Sequence, residues 1–327
     1  MSKIRIIVQL FFVPLLLCSI SIGEEKQEKL WSLVYPDEPK IPEVENINWV
    51  NNSIDSFILE KIESQDLQPS ERANKHKLVR RAYLDLLGIP PTIEEVKQFT
   101  ENQSPNAWEE LIEKLLSSPR YGERWGRHWL DVARYSDSNG MDENIAHPEA
   151  YRYRDYVIKS FNQDKPFNQF IIEQLAGDLL PSENLEKSRE QTIASGFLSV
   201  GPKMLACDDP DKMRRDIVDE QLDTTGRAFM GMTFGCARCH DHKFDPISIE
   251  DYYGLAGIFM STKTLTKYSV VAELHHFDMS TPEAKERHKK MSDIEKKKSE
   301  KGISEENKNK FENEISNLKK DLDKPFE

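Results

Sequence analysis

Apolar residues recur at intervals of three and four along most of this chain, which is the spacing of one face of an α-helix. The first such runs lie at 54–62 and 78–87. Further helices are predicted over seven segments: 105–117, 119–135, 149–162, 167–177, 189–198, 210–231 and 249–260. Because no strong alternation of period two is present, we expect few or no strands. The sequence therefore predicts a mainly α fold, a multi-helix bundle-like domain.

A capping box predicts one further short helix, which begins after Thr92 and extends to about Phe99. In this pattern the hydroxyl of Thr92 and the carboxylate of Glu95 each accept a hydrogen bond from the other residue's backbone N–H. Pro90 and Pro91 stand just before the box and end the preceding helix, because proline disfavours the helical conformation at the residue before it.

The segments on either side of the helical body differ from it in composition. Residues 24–50 contain Pro36, Pro39 and Pro42 and have no apolar period, which predicts an extended strap. From residue 283 onward Lys and Glu dominate, and apolar residues form two short runs. The runs are Met291 and Ile294, then Phe311, Ile315, Leu318 and Leu322. They favour a charged antiparallel helical hairpin, and the alternative is a single solvated helix or a frayed tail.

The N-terminus has the three parts of a secretory signal peptide. Lys3 and Arg5 precede an apolar run at 6–20, and small residues stand at the cleavage positions up to Gly23. The run is shorter than the roughly 18–20 apolar residues that a membrane-spanning helix needs. We therefore expect cleavage near Gly23, a periplasmic or secreted protein, and no stable membrane span in the mature chain.

These observations together predict four segments. They are a signal peptide at 1–23, the strap at 24–50, a helical domain at 51–279 and the charged hairpin at 280–327. A chain of 327 residues is long enough to bury a substantial core.

Composition excludes several classes of protein. The 45 basic and 57 acidic residues give a net charge of -12, whereas nucleic-acid binding needs clustered Lys and Arg to neutralise phosphates. Four cysteines are too few for a disulfide scaffold. Loss of the leader would remove Lys3 and Arg5 but no acid, leaving 43 basic residues and a net charge of -14. We expect an acidic exported chain without a nucleic-acid partner.

The strongest chemical motif is C-x-x-C-H, formed by Cys236, Cys239 and His240. With four cysteines and eight histidines in the chain, about 0.001 such motifs are expected by chance. In c-type cytochromes the two thiols add to the vinyl groups of haem, and the adjacent imidazole becomes the proximal iron ligand. Export agrees with this chemistry, because the thioether bonds are made outside the cytoplasm. The motif therefore predicts covalently bound haem c.

Two other kinds of site could use the same residues. A zinc or iron site would take Cys236, Cys239 and Cys207 together with either His240 or His242. An oxidised pair of Cys236 and Cys239, structural or redox-active, would need no metal.

The sixth iron position is not fixed by the sequence. Its candidates are His242 and the methionines Met204, Met213, Met230, Met232 and Met260. A methionine at helical spacing more often packs in a core than binds a metal. His242 lies so close to His240 in sequence that it cannot easily reach the opposite face of the same haem.

A second group of polar residues lies along the predicted helix at 119–135. Its members, spaced to share one face, are Arg124, His128, Asp131 and Tyr135. Such a face could line a pocket in which His128 is an acid or base oriented by Asp131, and Arg124 holds an anion. The alternative, which the pattern favours, is a row of surface salt bridges on an amphipathic helix.

Five segments of the chain resemble the planctomycete cytochrome-c-like family, whose exported members carry a domain of unknown function. They are LVRRAYLDLLGIPPT at 78–92, SPRYGERW at 118–125, HWLDVARY at 128–135, EQLAGDLLP at 173–181 and GCARCHDHKFDPI at 235–247. The resemblance covers about residues 31–265. It implies a mostly helical cytochrome-like domain in which Cys236, Cys239 and His240 match the family's haem-attachment motif. It implies no reaction, because no activity is established for the family.

Members of that family are often longer, with another cytochrome-like module upstream and a second uncharacterised domain after a helical spacer. In this chain the leader runs directly into the domain and the sequence stops inside the spacer. The resemblance therefore implies a fragment or one product of a split gene.

Two functional hypotheses follow. In the first, the chain is an exported c-type cytochrome-like protein that exchanges electrons with a redox partner protein or a fused catalytic domain. In the second, it is a hydrolase dependent on zinc or calcium, or a polysaccharide-binding module. That second protein would use His128, Asp131 and the cluster of Cys and His around a non-haem ion.

Overall fold

The computed structural model of the chain describes residues 30–141, 143–268, 271–277, 279–299 and 304–320. Within these ranges it contains twelve α-helices and two short strands, which confirms the mainly α fold. The predicted signal peptide lies outside the described residues. No helix in the described part of the chain is long and apolar enough to cross a membrane.

The helices follow one another with short connections. They are α1 (Ser53–Glu63), α2 (Lys75–Leu86), α3 (Ile93–Glu101), α4 (Ala107–Leu116), α5 (Pro119–Val132), α6 (Ala150–Asn162), α7 (Phe167–Ala176), α8 (Leu185–Ala194), α9 (Pro210–Thr225), α10 (Ile249–Met260), α11 (Pro282–Lys298) and α12 (Glu305–Lys320). Strands β1 (Leu265–Lys267) and β2 (Glu273–Leu274) pair in antiparallel orientation.

The predicted helices at 105–117, 149–162, 167–177 and 249–260 are confirmed to within two residues at each end. The helix predicted at 119–135 ends earlier, at Val132, because Arg134 adopts a left-handed backbone conformation with φ of 56°. Tyr135 therefore does not continue the helical face that the sequence predicted.

Two further boundaries differ from the prediction. α8 begins four residues before the predicted start, since the side chain of Asn184 accepts a hydrogen bond from the Lys187 amide at 2.9 Å and caps the helix. The helix predicted at 210–231 is α-helical only to Thr225 and then widens into a π turn over Gly226–Met230.

The predicted capping box at the start of α3 is confirmed. The Glu95 amide donates to the hydroxyl of Thr92 at 3.2 Å, and the Thr92 amide donates to the Glu95 carboxylate at 2.8 Å. Such a cap stabilises a helix by about 1 kcal/mol.

The chain divides into two compact units, with the boundary between Arg72 and Ala73. In the first unit the described part of the strap contains two single 3₁₀ turns, Trp31–Leu33 and Ile47–Trp49, before α1. The carboxylate of Glu63 accepts hydrogen bonds at 3.0 Å from the backbone amides of Glu45 and Asn46. The strap is thereby tied to the end of α1.

Three apolar clusters pack helices against one another in the second unit, and a fourth, which includes Met213, Ile217 and Leu265, packs α9 against β1. The first lies among α2, α3 and α4 and contains Val79, Ala82, Tyr83, Leu87, Phe99, Ala107, Leu111 and Leu115. The second is rich in aromatic residues from α5, α6, α7 and the 3₁₀ turn Ser195–Leu198, among them Trp129, Tyr153, Tyr156, Phe170 and Phe197. The third joins α9 to α10 and includes Val218, Leu222, Phe234, Ala237, Ile247, Tyr252 and Ala256.

Helices α5 and α6 approach each other closely because glycine faces the contact. A Cβ atom on Gly122 would lie 2.4 Å from the carbonyl oxygen of Ile158, a distance that real Cβ contacts do not reach. The Gly122 amide also donates to the side chain of Asn162 at 2.8 Å. The glycine is therefore required by the interhelical distance.

The two charged helices near the C-terminus, α11 and α12, contact each other. Nζ of Lys298 lies 2.6 Å from Oε1 of Glu312, and Ile294 is buried. This pairing is the arrangement that a helical hairpin requires.

Candidate functional site

The C-x-x-C-H motif begins on a 3₁₀ turn, Gly235–Arg238, that packs against α9 and α10. Ala237 is completely buried in the third apolar cluster, whereas Cys236 and Cys239 are both exposed. The residue between the cysteines therefore anchors the turn, and the two thiols remain accessible.

Ion pairs of Arg238 also hold this turn in place. Its guanidinium lies 3.0 Å from the carboxylate of Asp216 and 3.2 Å from that of Asp219, both on α9. From α10, Tyr252 donates its hydroxyl hydrogen to Asp219 at 2.6 Å, and Tyr253 donates to the carbonyl of Arg238 at 3.1 Å. Contacts to two helices thus hold the backbone that carries the cysteines.

The ion pairs of this turn also affect the pKa of Asp216. Burial by itself would raise that pKa, but hydrogen bonds from Lys212 and Arg238 outweigh burial and lower it. Asp216 is therefore ionised at neutral pH and remains a partner for Arg238.

His240 is exposed, and its Nδ1 lies 2.8 Å from the carbonyl oxygen of Asp241. A carbonyl can only accept, so in the neutral ring Nδ1 carries the proton. The Nε2 atom is then unprotonated and has a lone pair for a ligand or a metal. Hydrogen bonding of one imidazole nitrogen to a carbonyl is the usual way in which a metal-binding histidine is oriented.

His242 differs from His240 because both of its nitrogens have partners within the protein. Nδ1 accepts from the backbone amides of Asp245 at 2.8 Å and Phe244 at 3.3 Å. Nε2 lies 3.1 Å from the hydroxyl oxygen of Thr233. In this conformation His242 organises the loop after the motif and offers no nitrogen to iron.

We expect His242→Phe to destabilise the protein by about 1–3 kcal/mol, because two backbone amides lose their acceptor in a partly buried place. His242→Asn is the matched variant, since its side-chain oxygen can accept from the same amides. Urea unfolding at neutral pH measures both. Equal midpoints for His242→Phe and the unsubstituted protein would contradict the role assigned to this ring.

The methionine candidates for the sixth iron position occupy different environments. Met213 is fully buried in a cluster with Leu205, and both Met232 and Met260 pack against the third apolar cluster. Met230 is exposed. Met204, which is 36% exposed, lines a cavity of about 550 Å³ that Cys236 also lines. The structure therefore places Met204 at a cavity that Cys236 of the motif also lines.

The same cavity is bordered by a row of acids from α9, Asp216, Asp219, Glu220 and Asp223. Lys203 lies almost completely buried beneath them, with its Nζ 2.7 Å from the Glu220 carboxylate. The guanidinium of Arg134 lies 2.5 Å from the same carboxylate. Burial lowers the pKa of Lys203, although the charge of Glu220 opposes that effect.

This buried cluster did not emerge from the sequence. The acids recur at intervals of three and four along α9, which could have indicated a charged helical face. Their partners Arg134 and Lys203 come from distant segments without regular structure, so no local spacing predicts the pairing.

Three residues of the second predicted constellation, Arg124, His128 and Asp131, lie on α5, whereas Tyr135 lies beyond its end. Asp131 forms an ion pair with Arg127 at 3.1 Å, and the exposed ring of His128 lies 5.4 Å from that of Trp125. The side chain of Arg124 packs close to the backbone of Gly88. The carboxylate that was expected to orient His128 is thus paired elsewhere, and a catalytic role for these residues stays a prediction.

The residues expected for a zinc site are not gathered around one point. Cys207 packs against the apolar cluster of Leu205, Met213 and Ile217, and the three cysteines in the described ranges are free thiols. In the part of the chain that the structure describes, no three His, Cys, Asp or Glu side chains are grouped to hold an ion.

A buried polar network in α5, α6 and α7 was also absent from the sequence predictions. Trp129 donates its indole N–H to the hydroxyl of Tyr153 at 2.9 Å, and Tyr153 donates to the fully buried Gln174 at 2.6 Å. Next to Gln174, the fully buried Glu173 accepts from Tyr156 at 2.8 Å. The available signal was the adjacent polar pair Glu173 and Gln174, which lies between the apolar residues of 170–172 and 175–176 on α7.

Comparison with known proteins identifies the family. The PSCyt2 model, described as a protein of unknown function (DUF1549), matches residues 53–264, which is more than half of the chain. The chain belongs to the PSCyt2 family. The PSCyt2 segment runs from the first residue of α1 to just beyond α10 and includes Cys236, Cys239 and His240. No curated protein and no solved structure matches the chain. Membership confirms the expected domain of unknown function, and haem binding stays a prediction.

Proposed function

We propose that this chain binds haem c covalently and acts as an exported electron-transfer protein. Cys236 and Cys239 would form the two thioether bonds, and Nε2 of His240 would be the proximal iron ligand. One observation carries the proposal: the motif presents two exposed free thiols and a histidine whose Nδ1 is hydrogen-bonded to a carbonyl, so that the lone pair of the neutral ring is on Nε2. This donor set fits haem c.

The surrounding residues have supporting tasks in this proposal. Ala237 and Arg238 hold the backbone of the motif against α9 and α10, so both sulfurs keep their positions. The Asp241 carbonyl orients the His240 ring and makes Nε2 a more basic metal ligand. Met204 fits the sixth position best, because it lines the same cavity as Cys236. When bound, the haem would supply a centre for one-electron transfer.

The charge of the chain bears on its partner. Its net charge of -12 favours a basic redox partner protein or a fused catalytic domain with a basic face. The proposal includes export of the chain to the periplasm or the medium. The support for export is the signal-peptide pattern of residues 1–23.

The test is to express the full chain with its own leader in a host that has a cytochrome c maturation system. Covalent haem survives a denaturing gel, so we expect the exported band to stain for haem, with a pyridine haemochrome spectrum close to one haem per chain. Zinc and calcium are measured on the same sample. A folded, exported chain without haem overturns the proposal, and stoichiometric zinc or calcium in that chain supports the metal-dependent hydrolase or polysaccharide-binding hypothesis.

A further inference from the structure

A second cavity lies in the unit that begins at Ala73, and it is separate from the motif. It has a volume of about 500 Å³ and is formed by the start of α6, by the segment 192–200 and by the β1–β2 hairpin with the residues that follow it. Its apolar lining includes Ile145, Val200, Leu205, Leu274 and Phe277. Phe277 is 48% exposed, so the cavity reaches the surface. Both size and lining are those of small-molecule sites.

One wall of this cavity is rigidly built. Asn139 is fully buried, and its side-chain oxygen accepts from the amide of Ile145 at 2.7 Å while its amide donates to the carbonyl of Lys203 at 3.2 Å. The backbone amide of His147 donates to the carbonyl of Asp137 at 2.7 Å. The loop that places His147 at the cavity is therefore fixed on both sides before any ligand arrives.

His147 lines the cavity, and its imidazole has one hydrogen-bonding atom without a partner. The residue is only 8% exposed, and its Nε2 has no hydrogen-bond partner. An interaction with the backbone of Ser136 opposes the lowering of the His147 pKa, and because Nε2 has no partner this interaction favours the proton on Nδ1 and the lone pair on Nε2. A buried acceptor without a partner costs free energy, and a ligand that donates to it removes that cost.

The Glu and Arg side chains that line the cavity all have ion-pair partners. Glu149 pairs with Arg152, and Glu273 pairs with Lys267 at 3.5 Å. Burial lowers the pKa of His147, and the charge of Lys203 adds to this effect, so the ring is neutral near pH 7. A charged ligand would therefore find no opposite charge without a partner among these groups.

We propose that this cavity binds a neutral small molecule with an apolar body and a hydroxyl or N–H group that donates to Nε2 of His147. The apolar walls take the body, and the imidazole selects for the donor. This site does not depend on haem binding, because none of the residues that carry it belongs to the C-x-x-C-H turn.

The test uses the full chain as isolated and two probes of similar shape, 4-methylphenol and 4-methylanisole. The phenol has a donor and the methyl ether has none. By titration calorimetry we expect saturable binding of both probes, about tenfold tighter for the phenol, which is the effect of one neutral hydrogen bond. His147→Phe should abolish this preference. His76→Phe, an exposed histidine on α2, is the matched control and should retain it.

A variant that fills the cavity separates this site from binding elsewhere. Ser199 is half-buried and lines the cavity, and Ser199→Phe should abolish binding of both probes. If His147→Phe fails to fold, two measurements still decide the question. They are the binding of both probes to Ser199→Phe and the ratio of the phenol affinity to the ether affinity on the unsubstituted chain. Absence of saturable binding, equal affinity for the two probes, or unchanged phenol binding in Ser199→Phe would each overturn the proposal.

Discussion

The double substitution Cys236→Ser and Cys239→Ser is expected to abolish covalent haem completely. A serine oxygen does not form the thioether bond, so no haem can remain on the chain in a denaturing gel. Both cysteines are exposed and have no disulfide, so the substitutions remove no buried contact. Surface changes of this kind alter the free energy of unfolding by about 0.5 kcal/mol or less. The apoprotein should therefore fold and lack only its cofactor.

Cys207→Ser is the matched control for that experiment. Cys207 lies outside the motif and packs against the apolar cluster of Leu205, Met213 and Ile217. The haem signal of the Cys207→Ser variant should therefore equal that of the unsubstituted protein. The readouts are the haem stain, the mass of the intact chain and the helical circular dichroism of each variant. Haem that survives in the double variant, or disappears equally from Cys207→Ser, would contradict the assignment of the thioether residues.

The helices were largely predictable because their signals are local. The apolar spacing that marks α6, α7 and α10 lies within each segment, and the capping box of α3 spans only four residues. The end of α5 was not predictable in the same way. Arg134 leaves the helix in a left-handed conformation, and its guanidinium bonds Glu220, which is 86 residues away in the sequence. The local periodicity of the sequence cannot predict a contact between residues so far apart.

In the candidate site, too, features with a local sequence signal were predictable and features that depend on the folded chain were not. Cys236, Cys239 and His240 lie within five consecutive residues, so the amino-acid sequence alone reveals the motif. The role of His242 could not be predicted in this way, since the amides of Phe244 and Asp245 turn back to its ring only in the folded loop. From its spacing alone, His242 was a candidate iron ligand. The hydrogen bonds of its ring show that it stabilises the loop after the motif.

Buried charge was the least predictable feature of all. Glu173 is fully buried within α7, and its two oxygens contact Lys165 at 2.5 Å and Lys187 at 2.8 Å. Gln169 donates to the same carboxylate at 2.9 Å and Tyr156 at 2.8 Å. The residues come from α6, α7, α8 and the turn between α6 and α7. A carboxylate in such a place requires all of these partners to offset its loss of hydration.

We expect Glu173→Gln to destabilise the protein by about 3–5 kcal/mol at neutral pH. The amide keeps the shape but removes the negative charge, which leaves the ammonium group of Lys165 buried without its closest carboxylate. The side chain of Lys187 is 29% exposed and can turn toward water, so Lys165 accounts for most of the loss. Urea unfolding followed by circular dichroism measures the change. Glu123→Gln, an exposed carboxylate on α5, is the matched control and should stay within about 0.5 kcal/mol.

The pH dependence distinguishes this mechanism from a simple packing defect. Burial by itself would raise the pKa of Glu173, but hydrogen bonds from Lys165, Lys187, Gln169 and Tyr156 lower it from 4.5 to about 2. A lowered carboxyl pKa stabilises the folded state above pH 4.5, and this contribution is lost as the pH falls toward 2. The difference between Glu173→Gln and the unsubstituted protein should therefore be largest at neutral pH and shrink below pH 4.5. A difference that stays constant down to pH 3 would show that packing, and not the buried charge, holds these helices together.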